Sequence, residues 1–257
     1  MLLAIDVGNT NIVFAVFEQE AMVGRWRMTT VRGKTSDEYI VFIIQMLSIA
    51  KLDYNQINSV IIATVVPNLL FDLKNLCRDY FNCEPLIVHG NSLNLNIKLT
   101  QEKPHEVGAD LIANAVAGYK NFGGDILIVD FGTATTFQVI NDMGDYVGVV
   151  ITPGVDLISN SLSLETAKLP KIFIEKPEQV IGTTTVVAMQ SGIYWGYVGL
   201  IEKIIDKIEQ EYTKKLKTVT TGGMAPLFMS STTRLEYLEP DLTMYGLMYI
   251  YYMNKSK

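Results

Sequence analysis

The chain has 257 residues, and its 21 Lys and Arg against 27 Asp and Glu give a formal net charge of −6. A hydrophobic fraction of 49% with 19% charged residues excludes a largely disordered chain. Because phosphate backbones are bound by clustered Lys and Arg, the acidic balance argues against a nucleic-acid partner.

The first predicted element is an apolar strand at the N-terminus, and it carries no targeting signal. No basic residue precedes it and Asp6 interrupts it, which is unlike a signal peptide. The longest charge-free stretch, residues 179–201, contains too many polar residues and glycines for a bilayer core. The two cysteines, Cys77 and Cys83, have the spacing of neither a disulfide scaffold nor a zinc site. We therefore expect a cytoplasmic protein with no membrane partner.

The same strand begins a segment that is repeated later in the chain. Residues 3–24 align with residues 127–148 at a constant offset of 124, so that Asp6 meets Asp130 and Gly8 meets Gly132. Each copy reads as a strand, an acidic turn, a second strand, a polar turn and a third strand. The repeat predicts two halves of like topology, divided near residues 121–125. The predicted domains are residues 1–122 and 123–257.

The other predicted elements alternate between helix and strand. In chain order, the sequence predicts helix 37–50 with Ser36 as its N-cap, strand 60–66, helix 68–81, strand 85–88, helix 106–120, helix 185–211, strand 217–221 and helix 242–252. Strands interleaved with helices predict an α/β fold.

The two acidic turns have the composition of a phosphate site. They read DVGNTNIV at residues 6–13 and DFGTATT at residues 130–136. Glycine lets backbone N–H groups approach phosphate oxygens, and Asn and Thr add neutral donors. A carboxylate would repel phosphates unless a cation lay between them, so Asp6 implies a bound metal. Two such turns predict a polyphosphate site with one turn from each half, whereas one copy alone would indicate an Asx-turn.

Other nucleotide and hydrolase motifs are incomplete. Gly33, Lys34 and Thr35 resemble the end of a P-loop, but Met28 stands in place of its first glycine. The chain has only two histidines, His89 and His105, which leaves little material for a Ser-His-Asp triad. Both histidines are interpreted as surface residues.

Two further clusters have alternative interpretations. Asp110 follows Gly108 at the predicted start of a helix, where it is either an acid stabilised by the helix dipole or a general base for a substrate hydroxyl. Gly222 and Gly223 follow a predicted strand, where they form either a tight turn or a place for a flat ligand to approach the backbone.

The whole chain resembles type III pantothenate kinases, which belong to the superfamily of acetate and sugar kinases, Hsc70 and actin. The segments that carry the resemblance occur in the family's order: DVGNTNIVFAVF, TSDEY, ATVVP, EVGAD, NAVAGY, DFGTATTF, ITPGV, TAKLP, QSGIYWGYVG, TGGMA and LTMYGL. The resemblance implies duplicated RNase-H-like domains of the actin-like ATPase type with a cleft between them. It also implies ATP-dependent phosphorylation of pantothenate to 4′-phosphopantothenate, the first step of coenzyme A biosynthesis.

The resemblance also implies residue roles and partners. The residues that would bind the ATP phosphates are Asp6, Val7, Gly8, Asn9, Thr10, Asn11, Ile12 and Val13, with Thr133 from the second turn. Asp110 would accept the hydroxyl proton and Asp130 would bind a monovalent cation, K⁺ or NH₄⁺, while Mg²⁺ would accompany ATP. The residues that would contact pantothenate are Gln101, Gly108, Ala109, Asp110, Leu111 and Thr185. A homodimer is implied too, and the apolar helix around residues 193–197 would suit its interface.

Two positions depart from the family pattern. The family has arginine at the position of Leu111 and usually tyrosine at the position of Gln101, and both contact pantothenate there. Losing a charge-assisted hydrogen bond of about 1.5–3 kcal/mol predicts binding weaker by about ten- to a hundredfold. Lys103 or His105, in the same loop, is a candidate to replace the lost contact.

These departures leave two alternatives open. One is a non-catalytic relative that acts as an accessory factor in transcriptional regulation. The other is a kinase for a different hydroxylated small molecule. Retention of Asp6, Asp110 and Asp130 favours a catalytic protein.

Overall fold

The computed structural model describes residues 1–90, 93–166 and 168–255. The strands are β1 Leu2–Val7, β2 Asn11–Glu18, β3 Ala21–Thr29, β4 Ser59–Thr64, β5 Leu86–Ile87, β6 Lys98–Leu99, β7 Ile126–Phe131, β8 Ala134–Ile140, β9 Asp145–Pro153, β10 Lys217–Thr221 and β11 Tyr237–Leu238. The helices are α1 Ser36–Ile49, α2 Leu70–Phe81, α3 Ala109–Phe122, α4 Val155–Leu164, α5 Thr185–Tyr212, α6 Ala225–Met229 and α7 Leu242–Asn254.

The chain forms two compact units, Met1–Asn121 with Asp241–Lys257, and Phe122–Pro240. The unit boundary at Asn121 lies within the predicted dividing region, and both Gly123 and Gly124 after it have positive φ angles (56° and 67°). Such angles are incompatible with a continuing helix and favour glycine. The predicted domain 123–257 differs from the second unit, because α7 packs on β1 and β4 of the first.

The first unit is a sheet with helices on both faces. Its strand order is β3-β2-β1-β4-β5, with β1 to β3 antiparallel and β4 and β5 parallel to β1. Successive side chains of a strand point to opposite faces, so Leu3 and Ile5 join the core of α1 and α2. Leu2 and Ala4 join the core of α3 and α7 on the other face.

The second unit repeats the strand order of the first. Within it the strand order is β11-β10-β7-β8-β9, with β7 to β9 antiparallel, β10 parallel to β7 and β11 parallel to β10. Leu127, Val129 and Phe131 of β7 pack in one core with α5. The β2–β3 and β8–β9 hairpins also share a register shift, which lies between Val16 and Phe17 in the first unit and between Val139 and Ile140 in the second. The predicted α/β fold and its internal repeat are therefore confirmed.

Several helix boundaries differ from the predicted ones. Thr35, and not Ser36, is the N-cap of α1: its side chain accepts from Glu38 N–H, and the Glu38 carboxylate accepts from Thr35 N–H. This capping box accounts for the sequence that resembles a P-loop end. Helices α2 and α3 begin later than predicted because 3₁₀ turns, Pro67–Leu69 and Pro104–Glu106, precede them.

Helix α4 is absent from the predicted elements. Its sequence is rich in Ser and Asn, which compete for backbone hydrogen bonds and favour loops. Burial of Val155 and packing of Ile158 against the second core offset that weakness. Among the helices in the described residues, each is too short or too polar to cross a membrane.

Candidate active site

The first acidic turn lies between β1 and β2, and Thr30 stabilises it through hydrogen bonds to its backbone. Gly8 N–H donates to Asn11 O at 3.0 Å, and Thr30 N–H donates to Thr10 O at 2.9 Å. The Thr30 hydroxyl donates to Gly8 O at 2.7 Å. These bonds fix the turn's backbone, while the side chains of Asn9, Thr10 and Asn11 are exposed.

Not every residue of this turn can offer a side chain to a ligand. Val7 and Ile12 are fully buried and belong to the core beneath α1 and α2. Val13 is half-buried against the core of α3 and α7. These three residues can contribute backbone atoms alone, whereas Asp6 is half-buried at the end of β1.

Asp6 and Asp110 lie on the same side of the first sheet. Asp6 follows Leu2 and Ala4 at two-residue intervals, and side chains at that spacing share a face. Ala4 belongs to the apolar cluster that also contains Ala109, the first residue of α3. The carboxylate at the end of β1 therefore points to the face on which α3 begins.

Asp110 is held tightly at the start of α3. Leu111 N–H donates to Asp110 Oδ1 at 2.8 Å, and Ile112 N–H donates to Gly108 O at 3.0 Å. A methyl group on Gly108 would lie 2.5 Å from Asp110 Oδ1, so the absence of a side chain there makes room for the carboxylate. Burial raises the pKa of the Asp110 carboxyl, against the opposing effect of the hydrogen bond from Leu111 N–H. A carboxylate of raised pKa is a better proton acceptor.

The second acidic turn lies between β7 and β8 and is closed by Gly154. Asp130 is the strand partner of Thr136 in β8 and of Thr221 in β10. Gly154 N–H donates to Thr133 O at 3.0 Å. A methyl group on Gly154 would lie 2.5 Å from both Gly132 O and Thr133 O, so only glycine permits this approach. The turn residues Gly132 and Thr133 are exposed.

The glycine pair after β10 has two different environments. Gly222 has a φ of +93°, and a methyl group on it would lie 2.5 Å from Phe131 O, so packing on β7 requires this glycine. Gly223 has open space where a side chain would begin. A tight turn is thus enough to explain the glycine at position 222. At Gly223 the backbone is open, as the alternative of a nearby flat ligand requires.

Comparisons with known proteins find relatives over the whole chain. A profile of the type III pantothenate kinase family matches residues 2–207. A type III pantothenate kinase from Paramagnetospirillum magneticum is 47% identical over 256 residues, covering 100% of this chain and 98% of that protein. This chain belongs to the type III pantothenate kinase family.

Solved structures show that the fold is of the actin-like ATPase and sugar-kinase type. A conserved protein from Campylobacter jejuni, proposed to be a Baf family transcriptional activator, has a TM-score of 0.62 at 18% identity and covers 97% of each chain. The activator of the 2-hydroxyisocaproyl-CoA dehydratase from Clostridium difficile, with bound ADPNP, has a TM-score of 0.56 at 12% identity. It covers 97% of this chain and 94% of that one. At these identities the likeness concerns the fold alone.

Of the residues at which the chain departs from the family pattern, Leu111 is almost buried, with 9% of its surface exposed. Gln101 is half-buried. Lys103 Nζ lies 2.9 Å from Glu106 Oε1, and both side chains are more than 60% exposed. An exposed ion pair of this kind contributes little, so Lys103 is able to exchange Glu106 for a ligand carboxylate.

Two expectations about α5 remain predictions. Ile193, Tyr194 and Tyr197 are buried within the second unit's own core and cannot line an interface. The expected dimer interface around residues 193–197 is therefore limited to the outward-facing Trp195 and Gly196. Thr185 is exposed as the first residue of α5, after the N-cap Thr184. Its role toward substrate remains a prediction.

Two residues that support the turns were not assigned roles from the sequence. Thr30 supports the first turn, and Gly154 closes the second. Gly154 lies in ITPGV, one of the segments that carry the family resemblance, and that was the available signal. Thr30 had none, because a threonine at the end of a strand is common.

Proposed function

We propose that this chain transfers the terminal phosphoryl group of ATP to the primary hydroxyl of pantothenate, giving 4′-phosphopantothenate and ADP in the first step of coenzyme A biosynthesis. Similarity to pantothenate kinases over the whole chain supports the substrate. The observation that carries the reaction is the Asp110 carboxylate, held at the start of α3 with a raised pKa. The chemistry requires a positioned proton acceptor of this kind.

In the proposed reaction the pantothenate hydroxyl oxygen attacks the γ-phosphorus, and the bond from that phosphorus to the β–γ bridging oxygen breaks. The electron pair leaves with ADP, and the hydroxyl proton passes to the Asp110 carboxylate. The contribution of the chain is mainly position and electrostatics, since phosphoryl transfer requires little covalent chemistry from a protein. Gly108 and Ala109 contribute the backbone that leads to Asp110, beside Leu111.

The nucleotide is proposed to contact the backbone and exposed side chains of the two acidic turns. In the first turn, the donors are Asn9, Thr10 and Asn11, while Gly8, whose own N–H donates to Asn11 O, leaves room for the phosphates beside the backbone of Val7, Ile12 and Val13. In the second turn, Thr133 supplies a hydroxyl. Glycine at positions 8 and 132 lets phosphate oxygens approach peptide N–H groups.

Cations are proposed at both carboxylates. Asp6 would face Mg²⁺ that travels with ATP, and Asp130 would hold K⁺ or NH₄⁺. The strand partners of Asp130, Thr136 and Thr221, both carry hydroxyl groups, and oxygen donors of this kind suit hard cations. Within the described residues, His, Cys, Asp and Glu side chains do not gather in threes or more, so a cation at Asp130 would take at most two of its ligands from those residue types. When bound, the cations would neutralise phosphate charge.

A cytoplasmic homodimer is proposed as the working form. The second unit offers an apolar surface on α4, where Leu157 is 48% exposed and Leu164 is 82% exposed. A cavity of about 490 Å³ beside it is lined by Pro153, Leu157, Ile158, Ser161, Leu162, Glu165 and Thr166. Exposed apolar patches of this kind are typical of protein interfaces. Sedimentation analysis at micromolar concentration tests the dimer.

A coupled assay of ADP release, with and without pantothenate, tests the proposed function. Pantothenate-dependent release is the expected result. Release only with a different alcohol would favour the kinase of another substrate, for which the Leu111 position is the motivating observation. No release with any acceptor, together with intact binding of an ATP analogue, would favour the non-catalytic alternative.

A further inference from the structure

The hydroxyl of Tyr197, on α5, joins the two strands that flank the second acidic turn. Its single O–H proton is shared between two acceptors, Thr135 Oγ1 at 2.5 Å and Pro153 O at 3.2 Å. Thr135 is in β8 and fully buried, and Pro153 is the last residue of β9. One phenolic hydroxyl therefore ties the strand that leaves the turn to the strand that returns beside it.

The hydrogen bonds continue from these strands to the turn itself. Pro153 is followed by Gly154, whose N–H donates to Thr133 O and on which a methyl group would lie 2.5 Å from both Gly132 O and Thr133 O. Between the two strands, the Thr152 hydroxyl donates to Thr135 O at 3.3 Å. A shift of Pro153 or Thr135 would thus move the peptide groups of the turn.

The ring of Tyr197 is fixed independently of its hydroxyl. Its centroid lies 5.1 Å from that of Phe228 and 6.3 Å from that of Phe131. These ring contacts survive a change to phenylalanine, since they depend on the apolar ring and its geometry. The hydroxyl can therefore be removed while the aromatic packing of the core is kept.

We infer that Tyr197 is a positioning residue for nucleotide binding, which acts through Thr135 and Pro153 to hold the Gly132–Thr133 turn in the geometry that the phosphates of ATP require. This inference rests on the proposed function, in which the Gly132–Thr133 turn binds the nucleotide. It adds a residue on α5 that touches neither substrate.

The test compares Tyr197→Phe with Tyr194→Phe, a matched control on the same helix. Tyr194 is also buried, and its hydroxyl bonds Leu227 O at 3.0 Å and Ser231 Oγ at 2.6 Å, outside the acidic turn. Binding of a non-hydrolysable ATP analogue is measured by calorimetry, and KM is measured for each substrate. We expect Tyr197→Phe to weaken analogue binding and raise the KM for ATP by about tenfold. The KM of Tyr197→Phe for pantothenate should stay within about twofold of wild type. For Tyr194→Phe, analogue binding and the KM values for ATP and pantothenate should all stay within that range.

Thr135 provides a second, independent route. Thr135→Val removes the shorter of the two hydrogen bonds of the Tyr197 hydroxyl with little change of volume and should weaken analogue binding as Tyr197→Phe does, while Thr135→Ser should restore wild-type binding. The double variant Tyr197→Phe, Thr135→Val should bind no more weakly than Tyr197→Phe, because that variant already lacks the bond to Thr135 and the two changes are therefore not additive. If Tyr197→Phe does not fold, comparing Thr135→Val with Thr135→Ser still tests the positioning role of the Tyr197 hydroxyl.

The outcomes separate this inference from the proposed function. Equal analogue binding by wild type, Tyr197→Phe and Thr135→Val overturns the positioning role and leaves the kinase proposal intact. Equal losses in Tyr197→Phe and Tyr194→Phe also overturn it, since general destabilisation would then be the cause. A wild-type chain that binds no nucleotide overturns both.

Discussion

Asp110 Oδ1 occupies space that a side chain on Gly108 would fill, since a methyl group there would lie 2.5 Å from that oxygen. The two residues are separated by one position, at the entry to α3. The atom that would have to move is the end of a flexible side chain, so a larger residue would be tolerated by the fold. Such a residue would, however, displace the Asp110 carboxylate and so lower the rate of a reaction that needs this group in one position.

Gly108→Ala is therefore expected to lower kcat by about ten- to a hundredfold, because a misplaced catalytic group loses rate steeply. The midpoint of urea unfolding should change little. Gly199→Ala is the matched control, because that glycine lies on α5 with open space around it, and there alanine should be neutral or slightly stabilising. An unchanged kcat for Gly108→Ala would show that the carboxylate position does not matter.

Asp110→Asn is expected to lower kcat by at least about a hundredfold while leaving binding of an ATP analogue nearly unchanged. Asparagine retains an oxygen that can accept from Leu111 N–H, so the start of the helix is preserved. Single-turnover rates and analogue calorimetry measure the two effects. Undiminished turnover would remove Asp110 from its role.

The same substitution has a pH-dependent effect on stability. Burial raises the pKa of Asp110 in the folded state, so the folded protein binds this proton more tightly than the unfolded chain does. The stabilising effect is complete below the unfolded-state pKa and is lost as pH rises through the folded-state pKa. Asp110→Asn should therefore unfold at higher urea than wild type at neutral pH, with the gain disappearing in acid. A gain independent of pH would contradict this explanation.

Activity is expected to depend on K⁺ or NH₄⁺ through Asp130. Replacing potassium by sodium in the assay should reduce the rate, and Asp130→Asn should reduce the rate in potassium buffer to a similar level. Tetramethylammonium chloride at the same ionic strength controls for screening. Equal rates in potassium and sodium would count against a cation at this carboxylate.

Lys103→Ala is expected to raise the KM for pantothenate by about tenfold if Lys103 replaces the arginine contact that Leu111 lacks. The ion pair of Lys103 with Glu106 is exposed and costs little to exchange. Lys98→Ala, at another exposed lysine before the same loop, is the control. An unchanged KM for pantothenate in Lys103→Ala would show that this replacement is wrong.

Glu209→Gln is expected to destabilise the second unit by about 1–3 kcal/mol. The almost buried Glu209 carboxylate accepts from Lys215 Nζ and Arg234 Nη2, each at 2.6 Å, and from Leu216 N–H at 3.1 Å. Burial alone would raise the pKa of Glu209, but these hydrogen bonds outweigh it and lower the pKa.

The stabilisation by Glu209 is present above its unfolded-state pKa and is lost as pH falls through the lower folded-state value. The difference in unfolding free energy between wild type and Glu209→Gln should therefore be largest near neutral pH and shrink in acid. Glu211→Gln, at an exposed position on the same helix, should show no such difference. Equal stability of both variants at neutral pH would show that the hydrogen bonds of the Glu209 carboxylate do not stabilise the second unit.

The sequence alone determined the repeated hairpins and the α/β class. Asp6 and Asp130 come at equivalent places in β1 and β7 because strand alternation and turn chemistry are local properties, readable from neighbouring residues. The segment EVGAD likewise singles out Asp110 from the sequence alone.

Only the tertiary structure decided which groups support those residues. The contact of Gly154 with Thr133, the hydrogen bond of Tyr197 to Thr135 and the return of α7 to the first sheet join segments that are far apart in sequence. Burial of Ile193, Tyr194 and Tyr197 and the raised pKa of Asp110 likewise depend on what packs around them. Such contacts are set by the packing of the whole chain, which local periodicity does not encode.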